Sequence, residues 1–135
     1  MAAKAFINLP VKDLEKSISF FTHLGFSFDP NVTDENAACM ATGDNIFFVF
    51  LLKEDYFKTF TKKALCDATA FTEVLITLHL DSKESIQSII EKARTTGGLI
   101  HAEPEDRGWM YQHSLADLDG HQWEFIFIDE SQIPN

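Results

Sequence analysis

Basic side chains are scarce in this 135-residue sequence. It has 11 lysine and arginine residues against 21 aspartate and glutamate residues, so its formal net charge is −10. Proteins that bind nucleic acid or anionic membrane surfaces rely on clustered basic side chains. The composition therefore argues against both partners and leaves cationic or neutral small ligands open.

Cysteine and long apolar runs are also scarce. Cys39 and Cys66 stand alone, without the spacing of a zinc site or a disulfide framework. No apolar run has the length of a membrane span, and the N-terminus has no signal-peptide pattern. Nucleophile elbows, phosphate-binding glycine loops and dinucleotide fingerprints are absent too. These absences predict a cytoplasmic protein with reduced thiols.

Apolar and aromatic residues, by contrast, are plentiful. They make up 45% of the sequence and include 13 phenylalanines, enough for the core of one domain. The first half predicts a strand, then a helix between Asp13 as N-cap and Gly25 as C-cap, then strands over 37–41 and 46–52.

The second half repeats this pattern. Its predicted order is a strand ending near Leu80, a helix from Asp81 or Ser82 to Gly97, and strands over 99–103, 110–116 and 122–128. We therefore predict one α+β domain over residues 1–135, with two βαβββ modules in tandem. The predicted parts are module one over 1–52, a helical linker over 53–72, module two over 73–128 and a tail over 129–135.

Glu124 is a carboxylate within an apolar strand. The Asp119-Gly120 turn precedes this strand. Side chains alternate along a strand, so Glu124 points to one face and Trp123 and Phe125 point to the other. Burying an unpaired charge costs several kcal/mol, roughly, unless the charge is paired or protonated. Glu124 is therefore the first candidate for a functional residue.

Two runs of sequence resemble the vicinal oxygen chelate superfamily. They are Leu9-Pro10-Val11-Lys12-Asp13-Leu14-Glu15-Lys16-Ser17, followed by Phe20-Phe21 and Leu24-Gly25-Phe26, and Asp117-Leu118-Asp119-Gly120-His121-Gln122-Trp123-Glu124. This group includes glyoxalase I, bleomycin-resistance proteins and extradiol ring-cleaving dioxygenases. The resemblance implies a glyoxalase-like fold, in which paired modules form a curved mixed sheet around a cavity, and it implies a homodimer.

In that family a divalent metal is held by one residue from the first and last strand of each module. The resemblance places these positions on Phe6, Phe48, Leu75 and Glu124. Only Glu124 can bind a metal, whereas catalytic metal sites usually have about three protein ligands. We therefore expect neither a bound metal nor another cofactor.

Further side chains are expected to line the cavity. Thr77 and His79 share the strand face of Leu75, and Asn8 shares that of Phe6. Trp109 and Tyr111 lie in an acidic loop near the expected cavity mouth, and His113 follows in the run Tyr111-Gln112-His113. The predicted ligand-binding residues are therefore Phe6, Asn8, Phe48, Leu75, Thr77, His79, Trp109, Tyr111 and His113, and Glu124 is the candidate catalytic residue.

Three functions are compatible with this pattern. One is binding of a small organic molecule, with cationic ligands favoured, in an aromatic cavity, like the antibiotic-sequestering members of the family. The chain could instead be a metal-independent enzyme with Glu124 as general base. A metal-dependent lactoylglutathione lyase or ring-cleaving dioxygenase comes third, because three ligand positions oppose it. Glu124 could also simply accept hydrogen bonds from Asn8 or Gln122 within a folded core.

Overall fold

A computed structural model of the chain describes residues 3–134. They divide into two compact units, one ending at Asp67 and the other beginning at Ala68. The first unit contains β1 (Ala5–Val11), α1 (Leu14–Leu24), β2 (Ser27–Phe28), β3 (Ala37–Ala41), β4 (Phe47–Lys53) and α2 (Glu54–Phe57). The second contains β5 (Leu75–His79), α3 (Lys83–Arg94), β6 (Glu105–Asp106), β7 (Met110–Ala116) and β8 (Gln122–Ile128).

The two units have the same topology. Each is a four-stranded sheet, in the order β1-β4-β3-β2 in the first and β5-β8-β7-β6 in the second. The first and last strands of each unit pair in parallel, and the other neighbours pair antiparallel. The predicted α+β fold of two βαβββ modules is therefore confirmed.

The two longer helices, α1 and α3, begin at the predicted kind of cap and bury one face. The Asp13 side chain accepts a hydrogen bond from the Lys16 amide, and Gly25 ends α1 in the left-handed conformation at φ 109°. Ser82, one of the two predicted caps, accepts a hydrogen bond from the Ser85 amide at the start of α3. The buried side of α3 consists of Ile86, Ile89, Ile90 and Ala93, as their spacing predicts.

Two predicted elements are wrong. Residues 99–103 form no strand and make only an isolated bridge from Leu99 to Ala116, while the short edge strand is β6. The predicted helical linker over 53–72 is helical only through α2 and a 3₁₀ turn at Lys58–Phe60. No helix among residues 3–134 is long and apolar enough to cross a membrane.

Candidate functional site

The first sheet has one face that is aromatic and partly open. Leu9, Val11, Val49 and Leu51 are buried on the side that faces α1, so alternation turns Phe6, Asn8, Phe48 and Phe50 to the opposite side. Phe6 and Phe48 are directly paired in the β1/β4 ladder. Their rings stack with centroids 5.3 Å apart and an angle of 17° between the planes. Phe6 and Phe48 therefore form one aromatic surface.

A third ring extends this surface. The Phe50 centroid lies 5.6 Å from that of Phe6, and the Lys4 ammonium group lies 5.8 Å from the Phe48 centroid. The sequence analysis missed Phe50, although Phe50 lies two residues after Phe48 and therefore on the same face of the strand. The ring of Phe6 stays 47% exposed, so the surface is accessible.

Next to these rings the first unit has a small cavity of about 240 Å³. Asn8 and Leu52 line it from the sheet, and Phe57, Phe60 and Thr61 line it from α2 and the turn that follows. Asn8 thus borders a cavity, together with two phenylalanines that the sequence analysis had assigned only to a linker helix.

In the second unit Glu124 lies on the sheet face opposite the buried side chains of Trp123 and Phe125, as predicted. It is half-buried rather than buried. Its Oε2 atom accepts hydrogen bonds from the Thr77 hydroxyl at 3.3 Å and the Gln112 amide at 3.4 Å. Among residues 3–134, no hydrogen bond to its Oε1 atom is present. A carboxylate held by two neutral donors thus keeps one oxygen available.

The pairing register shows which residue lies opposite Glu124. Thr77 is its partner in the β5/β8 ladder, whereas Leu75 pairs with Gln122. The register-matched counterparts of Phe6 and Phe48 are therefore Thr77 and Glu124. Leu75 remains on the same face, 53% exposed. Ser114 on β7 pairs directly with Glu124. Gln112, which the sequence analysis missed, lies two residues before Ser114 and therefore on the same face of the sheet.

His79 shares the exposed face of β5 with Thr77, as its spacing predicts. Its Nε2 atom accepts a hydrogen bond from the Ile128 amide at 3.2 Å. Because an N–H donates to Nε2, the neutral ring carries its proton on Nδ1. His79 thus stabilises the end of the β5/β8 ladder, and Nε2 is occupied as an acceptor.

Tyr111 and His113 do not share the face of Glu124, contrary to the predicted role for them. His113 pairs with Phe125 and Tyr111 with Phe127, so both lie on the α3 side of the sheet and are only 6% exposed. His113 Nε2 lies 2.8 Å from the Ala102 carbonyl oxygen. Trp109 is half-buried in the turn before β7, where its carbonyl accepts a hydrogen bond from the Asp129 amide at 2.7 Å.

The buried carboxylate of the second unit is Asp117, which the sequence analysis did not single out. Its oxygens accept hydrogen bonds from the Asp119 and His121 amides and from the Trp123 indole, each at 3.0 Å. Burial raises the pKa of Asp117, against the opposing effects of His121 and these N–H donors. Asp117 organises the turn that leads into β8 and so positions Glu124.

The donor set does not fit a divalent metal. Within neither unit do three His, Cys, Asp or Glu side chains of residues 3–134 group as ligands. The register-paired positions are two phenylalanines in the first unit, and a threonine and one carboxylate in the second. Phenyl rings have no donor atom, and one carboxylate falls short of the roughly three protein ligands of a catalytic site.

Comparison with known proteins agrees with this architecture. Residues 5–43 match the family model "Bleomycin resistance protein-like N-terminal". A hypothetical protein from S. aureus is 29% identical, with a TM-score of 0.79 over 94% of this chain and 95% of that one. In sequence, the first module thus matches a bleomycin-resistance family model, and in fold the chain is similar to glyoxalase/bleomycin resistance protein/dioxygenase family proteins.

Two further solved structures show the same fold at lower identity. A glyoxalase/bleomycin resistance protein/dioxygenase family enzyme from Burkholderia phytofirmans PsJN is 13% identical, with a TM-score of 0.74 over 94% of this chain and 99% of that one. A bleomycin-binding protein complexed with bleomycin is 21% identical, with a TM-score of 0.61 over 93% of this chain and 98% of that one. No curated protein matches the sequence.

Proposed function

We propose that this chain binds a small organic molecule without a protein-held metal ion, and that the aromatic face of its first module contacts that molecule. The observation that carries the proposal is the stacking of Phe6 on Phe48, the two positions of the first module where the family resemblance implies metal ligands. An exposed ring surface beside a cavity suits apolar contact with a ligand. The likeness in fold to a protein complexed with bleomycin supports a binding role.

Glu124 is the proposed polar anchor of the second module. Its Oε2 atom is held by Thr77 and Gln112, and its Oε1 atom has no hydrogen bond within the described residues. An ionised carboxylate only accepts hydrogen bonds, so a ligand group at Oε1 must donate them. The acidic composition favours cationic donors further.

Calorimetric screening tests the proposal. Cationic antibiotics, bleomycin among them, and small metabolites are titrated into chelator-treated protein. Saturable binding that weakens in Phe6→Ala or Glu124→Gln supports the proposal, with Glu130→Gln at an exposed position as the matched control. Absence of any ligand in a broad library contradicts it.

A metal-independent enzyme is the second candidate, because a carboxylate with one available oxygen can remove a proton from a bound substrate. Thr77 and Gln112 would hold Glu124 in place for that step. Loss of turnover in Glu124→Gln, with substrate affinity retained, supports this candidate. Unchanged turnover removes Glu124 from the mechanism.

We also propose that the chain forms a homodimer. Large apolar side chains outside the proposed ligand contacts remain exposed in each unit, for example Ile46 at 60%, Phe71 at 70% and Leu99 at 57%, and burying such side chains favours association. Sedimentation velocity that finds only monomer at micromolar concentration contradicts this proposal.

A further inference from the structure

The cavity of the first unit has one polar side chain from the sheet, that of Asn8. In the β1/β4 ladder Asn8 pairs with Phe50, and it lies two residues from Phe6 on the same face. Asparagine is disfavoured in strands, so this position is not explained by strand propensity. Within residues 3–134 the side-chain amide of Asn8 has no hydrogen-bond partner. Its two N–H donors and its carbonyl acceptor are therefore available to a ligand.

The other walls are apolar or only weakly polar. Leu52 is buried, and the rings of Phe57 and Phe60 complete the cavity from the helical segment. Phe60 is oriented by Tyr56, whose ring meets it edge to face with centroids 5.2 Å apart. Thr61 Oγ1 accepts a hydrogen bond from the Lys63 amide, which leaves its hydroxyl proton free to donate.

We infer that this cavity is a subsite for a neutral planar ring with a carboxamide-like edge, such as a primary amide, a lactam or a pyrimidinone. Asn8 donates to the carbonyl oxygen of that edge and accepts from its N–H, while Leu52, Phe57 and Phe60 contact the ring. The assignment rests on the proposed small-molecule function and adds the chemical class of one ligand group.

Size and charge both restrict the ligand group. The volume of about 240 Å³ is below the roughly 300–1,000 Å³ of sites for drug-sized molecules, so one substituted ring fits. No ionised side chain lines the cavity. A charged edge would therefore lose hydration without gaining an opposite charge, and a neutral amide edge is favoured.

The test uses 4-fluorobenzamide as the probe, titrated into the full chain and followed by ¹⁹F NMR. 4-Fluorobenzoate and 4-fluorobenzylamine serve as charged controls of the same shape. We expect 4-fluorobenzamide to bind most tightly. We expect its affinity to fall about tenfold in Asn8→Leu, the size of one or two hydrogen bonds, and to fall also in Phe60→Ala.

Asn8→Asp supplies a readout that a structural role would not change. A carboxylate lacks the amide donors and attracts cations, so the preference should move from 4-fluorobenzamide to 4-fluorobenzamidine. Asn45→Leu, at an exposed asparagine of the same unit, should leave both affinities unchanged. Circular dichroism confirms that each variant is folded.

Two results overturn the inference. One is the absence of 4-fluorobenzamide binding, and the other is binding that Asn8→Leu and Asn8→Asp leave unchanged. If the wider library still yields a ligand sensitive to Phe6→Ala, only this subsite fails and the proposed function stands. If no library member binds either, both fail.

Discussion

Phe6 and Phe48 are register partners on parallel strands, and their rings lie 5.3 Å apart with nearly parallel planes. In the second unit the corresponding partners are Thr77 and Glu124. The two units therefore share one strand topology but differ at these paired positions, with two rings in the first unit and a hydroxyl beside a carboxylate in the second.

Truncating Phe6 tests whether the aromatic face contributes to binding or only to stability. Phe6→Ala removes a stacked ring pair, worth about 0.5–1.5 kcal/mol beyond area burial, and urea denaturation should show a loss of about that size. Ligand affinity should fall as well. Val32→Ala, at another exposed apolar position of the first unit, is the control and should leave affinity intact. Equal affinities in wild type and Phe6→Ala would remove the aromatic face from the binding site.

The buried Asp117 carboxylate should be a main determinant of stability in the second unit. Asp117→Ala leaves the Trp123 indole and two backbone amides without their acceptor, and each buried unsatisfied donor costs about 1–3 kcal/mol. We expect the free energy of unfolding to fall by about 3 kcal/mol or more. A double-mutant cycle with Trp123→Phe should show coupling, and strict additivity would show that the indole bond contributes little.

Asp117 should also give a pH dependence of defined sign. Burial raises the pKa of the folded carboxyl above the ordinary value of 3.8. The stabilisation associated with this raised pKa is therefore fully present below that value and lost as pH rises through the folded pKa. Asp117→Asn cannot titrate. The stability of wild type relative to Asp117→Asn should thus decrease with rising pH from about 3.8 upward, measured by urea denaturation at several pH values. A difference that increases with pH would contradict this sign.

Glycines at two turns provide a matched pair of substitutions. Gly43 and Gly120 both have positive φ, but a Cβ at Gly43 meets nothing within 4 Å, whereas one at Gly120 would lie 2.8 Å from the Ala68 and Thr69 backbone. Gly43→Ala should cost about 1–2 kcal/mol, the penalty of the left-handed conformation. Gly120→Ala should cost clearly more, because backbone atoms must move. Equal losses in denaturation midpoints would show that the backbone of residues 68–69 can move at little cost in free energy.

Most of the fold was predictable because its signals are local and repeated. Asp13, Gly25 and Ser82 occupy the caps that they predict, and the spacing of Ile86, Ile89 and Ile90 gives the buried side of α3. The predicted strand over 99–103 failed because alternation alone does not supply a ladder partner. Residues 105–106 pair with β7 instead.

The candidate site was harder to predict because it depends on register. The sequence of β7 does not show which of its two alternating sets of side chains faces α3. Only the pairing of His113 with Phe125 places Tyr111 and His113 on the buried side. The same register brings Gln112 to Glu124. The cavity beside Asn8 depends on how the segment after β4 folds back, which no local pattern indicated.

The most direct test of the central claim is ligand affinity with and without a metal chelator. The library ligand that binds most tightly is titrated calorimetrically into protein treated with EDTA and into protein equilibrated with manganese, iron, nickel or zinc, and retained metal is counted after desalting. We expect equal affinity in all samples and no stoichiometric metal. Affinity that is lost with EDTA, restored by one divalent ion and dependent on Glu124 would contradict the central claim and would favour a metal-dependent lyase or dioxygenase.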